Sequence, residues 1–202
     1  MLHEQAPTEK PYEKSKGERR GLVIVNTGDG KGKSTAAFGL ALRAHGRAKK
    51  VKVFQFMKVP SARFGEHRMF EQLGIPIEGL GDGFSWKSQD LKHSAQLARD
   101  GWQKAKAAIA SGDYFMVTLD EITYPLIYGW MPLDELKELT GIDLPDDNQS
   151  HTAAGFVVQG FGRLPEAGDH FDAHGWRFEV LDLDGRRVDK ILAEKLSRRR
   201  AR

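Results

Sequence analysis

The chain has 202 residues, 31 Lys and Arg against 28 Asp and Glu, a net charge of +3, and no cysteine. That length gives one domain, or one and a half, with a real core. Without cysteine there is no disulfide, thiolate metal site or cysteine nucleophile, which fits a reducing, cytoplasmic setting, and no apolar run approaches the roughly 20 residues of a membrane span.

Residues 1–20 mix Glu, Lys and Pro without apolar periodicity and lack the apolar core of a signal peptide. They read as a mobile N-terminal arm. The apolar run Leu22-Val23-Ile24-Val25 predicts a first strand, and Lys33 to about Gly46 predicts a first helix with Phe38, Leu40, Ala41 and Leu42 available for packing. Between them lies Thr27-Gly28-Asp29-Gly30-Lys31-Gly32-Lys33-Ser34-Thr35. Strand, glycine-rich turn and helix in this order make a phosphate-binding loop. Glycines let successive amides face one concavity, and the helix start adds unpaired N–H groups and partial positive charge. Lys33 offers a charge to the outer phosphates and Ser34 a hydroxyl to Mg²⁺. The spacing is unusual: Gly28 and Gly32 enclose three residues, and Thr27 stands at the customary first-glycine position.

Val51 to Phe56 predicts a second strand, and the strand–helix–strand order argues for a parallel sheet covered by helices. A helix ending near Leu73-Gly74, a short edge strand over 75–80 and a long helix from Ser88 to Ala110 follow; in the last, Leu91, Ala95, Ala98, Trp102, Ala105 and Ile109 recur at helical steps. Tyr114 to Leu119 reads as a buried strand ending in Asp120-Glu121. Carboxylates at that end of a strand lie on the edge where open α/β sheets bind ligands, and could hold the Mg²⁺ that Ser34 touches. Phe84 and Trp86, in the turn after Gly83, are either packing residues or an apolar wall for a large flat ligand. Lys58 and Arg43 either meet an anionic ligand group or are solvated.

Pro132 to Leu139 predicts a short helix, and residues 141–150 an acidic, turn-rich linker. Thr152 to Gly162 fits a helix or a strand. Trp176 to Asp182 alternates as a strand, Asp184-Gly185 makes a hairpin turn, and Arg187 to Leu192 returns. His170 and His174 have the step of a metal pair but fall in an expected loop without a third ligand. Residues 186–202 carry eight Lys and Arg against two Asp and Glu. This basic tail reads as a solvated end, and no nucleic acid is expected as partner.

Residues 20–138 resemble the P-loop corrinoid adenosyltransferases. The resemblance rests on the 27–37 loop, Gln55-Phe56-Met57-Lys58, Gly83-Phe84-Ser85-Trp86 and Leu119-Asp120-Glu121-Ile122-Thr123-Tyr124. The shortened loop is typical of that family. The resemblance implies a P-loop NTPase-like α/β fold and transfer of the 5′-deoxyadenosyl group of ATP to cobalt(I) of a corrinoid, with release of triphosphate. It implies that residues 27–35 bind ATP, that Lys33 stabilises the leaving triphosphate, and that Ser34, Asp120 and Glu121 hold Mg²⁺. Phe84 and Trp86 would exclude the lower axial ligand of the corrinoid, and the N-terminal arm would fold over it. A flavoprotein reductant and a homodimer are among the partners it admits.

Residues 131–196 resemble instead the transporter-associated domain of CorC/HlyC magnesium and cobalt efflux proteins. The matching pieces are 131–136, 144–147, 151–156, 162–166 and 175–190. The chain therefore reads as a chimera joined near Pro132-Leu133: an arm over 1–20, a nucleotide-binding domain over 21–138, and a small α+β module with a basic tail over 139–202. The later strands of the adenosyltransferase pattern are missing, and Val157 to Arg163 echoes them only faintly. Two alternatives stand beside the enzyme: a catalytically impaired ATP-binding hybrid, and an accessory of magnesium or cobalt efflux.

Overall fold

The structure, a computed structural model, describes residues 21–27, 31–83, 90–142 and 153–196. The expected arm, the tip of the glycine loop, Phe84 and Trp86, most of the acidic linker and the end of the basic tail lie outside them. Seven strands and six helices are described, and the strands form two sheets.

The first sheet is parallel, ordered β3-β2-β4, with β2 at Val51–Gln55, β3 at Ile77–Gly79 and β4 at Met116–Asp120. β2 is central and covered on both faces, which accounts for its near-continuous apolar run. Its Val51 and Val53 pack with Phe38 and Ala41 of α1 (Lys33–His45) and with Phe70 of α2 (Gly65–Leu73). Phe54 joins Phe56, Leu80 and Met131, and Trp102 and Ala105 of α3 (Leu91–Ala110). The expected parallel sheet with helices on both faces is thus present. β3 lies at the edge, as Pro76 before it suggested.

Polar clasps hold these layers. Trp102 donates its indole N–H to Glu135 at 2.8 Å, and Lys106 bonds the same carboxylate, fastening α3 to α5 (Leu133–Thr140). Glu78 on β3 meets Lys104 of α3 at 2.5 Å and Lys52 of β2 at 3.2 Å. Burial pushes the Glu78 carboxyl up, but the hydrogen bonds from both lysines outweigh it and hold it below its ordinary value.

The second sheet is antiparallel, ordered β1-β7-β6-β5, with β5 at His170–Ala173, β6 at Trp176–Asp184 and β7 at Arg187–Lys195. One face is covered by α6 (Ala153–Phe161), whose Val157 packs with Trp176, Phe178, Val180, Val188, Ile191 and Ala193. The segment that fitted either helix or strand is a helix, and the expected loop around His170 is a strand.

The main departure concerns β1 (Leu22–Asn26). The sequence placed it in the parallel sheet; it lies antiparallel against β7, from Leu22 opposite Glu194 to Asn26 opposite Lys190. β7 closes a hairpin with β6 and would otherwise present an unpaired edge, and an antiparallel ladder is slightly the better one per residue. Val23 joins the core of the antiparallel sheet, while Leu22 and Ile24 stay exposed at 54% and 37%. A strand buried on both sides would have covered them.

The division into two units remains a proposal, and the ladder sharpens its test. Limited proteolysis should cut first near residues 140–150, in the acidic, Pro- and Asn-containing linker. Because β1 is laddered to β7, the two fragments should co-elute in gel filtration and part only in denaturant. Fragments that separate under native conditions would contradict the ladder, and uniform resistance would mean one shared core.

Candidate functional site

The site forms where the carboxyl ends of β2 and β4 meet the start of α1. Gly32, at φ 114°, precedes the helix in a backbone conformation open mainly to glycine. Lys33 begins α1 and is exposed; Ser34 follows and is half-buried. The strand register sets Gln55 opposite Asp120. Ser34 donates its hydroxyl to Asp120 Oδ1 at 2.8 Å, and Gln55 donates Nε2 to Asp120 Oδ2 at 3.0 Å. Asp120 is 8% exposed and Gln55 1%. The loop serine and the strand-end carboxylate, expected to share a cation, are hydrogen-bonded to each other, and both carboxylate oxygens are engaged.

Glu121 behaves differently. At φ 58° it leaves the strand in the left-handed region, and its Oε1 lies 3.3 Å from Lys58 Nζ. Lys58 Nζ also stands 5.6 Å from the centre of the Phe64 ring. Met57, before Lys58, has φ 27°. Two non-glycine residues in this region at adjacent strand ends mark strain of the kind that collects at binding sites. The turn after β2 runs close against β3: a Cβ on Gly79 would sit 2.5 Å from the Val59 carbonyl oxygen.

The cation that Ser34, Asp120 and Glu121 were expected to hold can be tested against this geometry. Mg²⁺ bonds oxygen ligands at about 2.0–2.1 Å in an octahedron, so adjacent ligands lie about 3 Å apart. Ser34 Oγ and Asp120 Oδ1 have that separation. Their chemistry and spacing fit two neighbouring positions on such an ion, whereas Glu121 is turned toward Lys58.

Thr27 donates its backbone N–H to Asp189 of β7 at 2.8 Å, so the entrance to the loop is fastened to the antiparallel sheet. Lys31, Gly32 and Thr35 flank or begin α1 in exposed positions, and Gly28, Asp29 and Gly30 lie outside the described residues. So do Phe84 and Trp86, but both flanks of their segment are fixed. Gly81 donates its N–H to the Lys58 carbonyl at 2.9 Å, and Ser94 donates to Asp82 at 2.6 Å. Asp90 accepts from Lys92 and His93 to cap α3. Arg43 lies in the last turn of α1, at the far end of the helix from Ser34. Arg163 pairs with Asp169 at 2.8 Å. Among the described residues no group of three or more His, Asp or Glu is placed to hold a metal, His170 and His174 included. Nor is any helix among them long and apolar enough to cross a membrane.

Sequence reasoning placed Gln55 only as part of a strand-end motif. Its bond to Asp120 depends on the register of two strands 65 residues apart, which no local pattern reports.

A parallel sheet between helices, with a helix start facing a buried carboxylate at the sheet's carboxyl edge, defines an α/β protein of the class that binds ligands at its strand ends. The family model of ATP:corrinoid adenosyltransferases (BtuR/CobO/CobP) matches residues 19–149, and the chain belongs to this family. A second model, the CorC_HlyC transporter-associated domain, matches residues 120–197. The corrinoid adenosyltransferase of Escherichia coli K12 is 43% identical over 121 residues, covering 60% of this chain and 61% of that protein. That of Salmonella typhimurium LT2 is 41% identical over 119 residues, covering 59% and 60%. The chain thus spans about three fifths of the length of these relatives. Among solved structures, the transporter-associated domain of a Xylella fastidiosa Temecula1 hemolysin is 45% identical, covering 33% of this chain and 80% of that one, at a TM-score of 0.28.

Proposed function

We propose that the chain is an ATP:corrinoid adenosyltransferase. Cobalt(I) of the corrinoid substrate attacks the 5′ carbon of ATP, a cobalt–carbon bond forms, the C5′–O bond breaks, and triphosphate leaves with the electron pair. The observation that carries this reading is the Ser34–Asp120 contact at the start of α1, in a chain of this family. Lys33 and the amides of residues 27–35 bind the polyphosphate and stabilise the charge that gathers on it as the bond breaks. Ser34 and Asp120 hold Mg²⁺, which supplies further charge neutralisation when bound. Glu121 and Lys58 form an ion pair at the rim of the site. Phe84 and Trp86 cover the corrinoid face and exclude its lower axial ligand.

Mixing reduced corrinoid with Mg-ATP and following adenosylcorrinoid by absorbance tests the reaction; no product with a folded, ATP-binding chain would overturn it. The role of Trp86 has its own test. Trp86→Ala is expected to cut adenosyl transfer by at least tenfold and leave ATP affinity within about twofold, because an indole offers little to a triphosphate. A core role would instead cost about 3–5 kcal/mol of stability and lower both together, so thermal unfolding is measured alongside.

The alternative of an ATP-binding hybrid without transferase activity has a specific observation in its favour. β1, which enters the phosphate loop, is laddered to β7 rather than to the parallel sheet. ATP binding without transfer, with Trp86 in place, would favour it.

A further inference from the structure

We propose that Gln55 is a positioning residue for the metal–nucleotide site, setting the carboxylate of Asp120 so that Oδ1 stays turned toward Ser34. This rests on the reading of Asp120 as a magnesium ligand.

A carboxylate on a strand end can rotate about its side-chain bonds and present either oxygen. Here the rotation is blocked. A carboxylate only accepts hydrogen bonds, so the amide beside it must present Nε2, which donates to Oδ2 at 3.0 Å. Oδ1 is left for Ser34 at 2.8 Å. The strand register that sets Gln55 against Asp120 makes this arrangement part of the sheet itself. Gln55 is 1% exposed, so its amide has one environment.

A second observation separates Gln55 from an ordinary core glutamine. With Nε2 committed to Asp120, Oε1 is buried and has no hydrogen-bond partner among the described residues. A buried acceptor left unpaired is costly and calls for a donor. Mg²⁺ keeps several of its waters when bound, and one of them would be a donor of the right kind for this acceptor. Gln55 then acts on the ion twice, through the carboxylate it orients and through the acceptor it leaves open. It touches the ion itself in neither role.

The test compares Gln55→Met, close in volume and without either polar group, with Ser34→Ala and the double variant. ATP affinity is measured with and without Mg²⁺, Mn²⁺ binding is followed by electron paramagnetic resonance, and unfolding temperature is recorded. The wild type should bind ATP more tightly with Mg²⁺. Gln55→Met should keep metal-free ATP affinity within twofold but lose at least tenfold of the Mg²⁺-dependent gain, with Mn²⁺ affinity falling in parallel. The double variant should lose less than the two single losses combined, because Ser34 and the carboxylate that Gln55 orients hold the same ion. Full retention of the Mg²⁺-dependent gain in Gln55→Met would overturn the proposal. So would ATP affinity that falls equally with and without metal in step with unfolding temperature. A wild type whose ATP binding ignores Mg²⁺ would instead remove the reading of Asp120 as a metal ligand, on which the proposal depends.

Discussion

Lys33→Ala is expected to weaken ATP binding about ten- to a hundredfold while leaving the chain folded. A hydrogen bond to a charged group contributes roughly 1.5–3 kcal/mol, and each 1.4 kcal/mol is a factor of ten in affinity. Lys33 is exposed at the first position of α1, so little packing is lost when it is shortened. A positive charge in the first turn also opposes the helix dipole, and alanine is the better helix former. Stability should therefore hold or rise slightly. Isothermal titration with Mg-ATP, beside a thermal unfolding curve, separates the effects. An unchanged affinity would remove Lys33 from the phosphate site, and a marked fall in unfolding temperature would give it a structural role.

Much of this architecture is written in local sequence. The steps of α3 through Ala95, Ala98, Trp102 and Ala105 match its buried face, and the apolar run of β2 matches a strand covered on both sides. The Asp184-Gly185 turn places the β6–β7 hairpin to within a residue or two. What failed was partnership between distant segments. Leu22 to Val25 is apolar at every position, a pattern that suits the middle of a parallel sheet, yet β1 ladders with β7 and leaves Leu22 and Ile24 to solvent. Strand composition reports burial of a segment, not the identity of its neighbour. α4 (Thr123–Ile127) escaped notice because five residues containing Pro125 carry no helical period. β5 escaped because its four residues alternate exposed and half-buried, with His170 and Asp172 facing out.

The candidate site divides in the same way. Ser34 and Asp120 were legible because each is fixed by its own element, a helix start and a strand end. The Gln55 amide was not, because its role exists only in the register between β2 and β4. The turn of Glu121 toward Lys58 was hidden as well, since it follows from a left-handed backbone at a residue whose type gives no warning of it.

The largest stability effect is expected from Ile191→Asp, and it should reach the nucleotide site. Ile191 is 2% exposed, pairs with Val180 on one side and Val25 on the other, and packs in the core beneath α6. Replacing it buries an unpaired carboxylate and removes apolar contact at once, a combination in the tail above about 4 kcal/mol. Against the 5–15 kcal/mol of a typical domain, that melts the antiparallel sheet or leaves it marginal. β1 then loses its ladder, and Thr27 loses its bond to Asp189 at the mouth of the loop. The parallel sheet keeps its own core around Phe54, Trp102 and Phe70, so helical signal from α1 to α3 should survive. The expected result is loss of near-ultraviolet signal from Trp176 together with at least a tenfold loss of ATP affinity. A milder change on the far strand, Phe171→Ala in β5, should spare nucleotide affinity even where it lowers the unfolding temperature, because β5 pairs only with β6 and has no ladder to β1. Undiminished ATP binding in Ile191→Asp with the antiparallel sheet melted would mean that the phosphate loop is held by the parallel sheet after all, and that the β1–β7 ladder is dispensable to it.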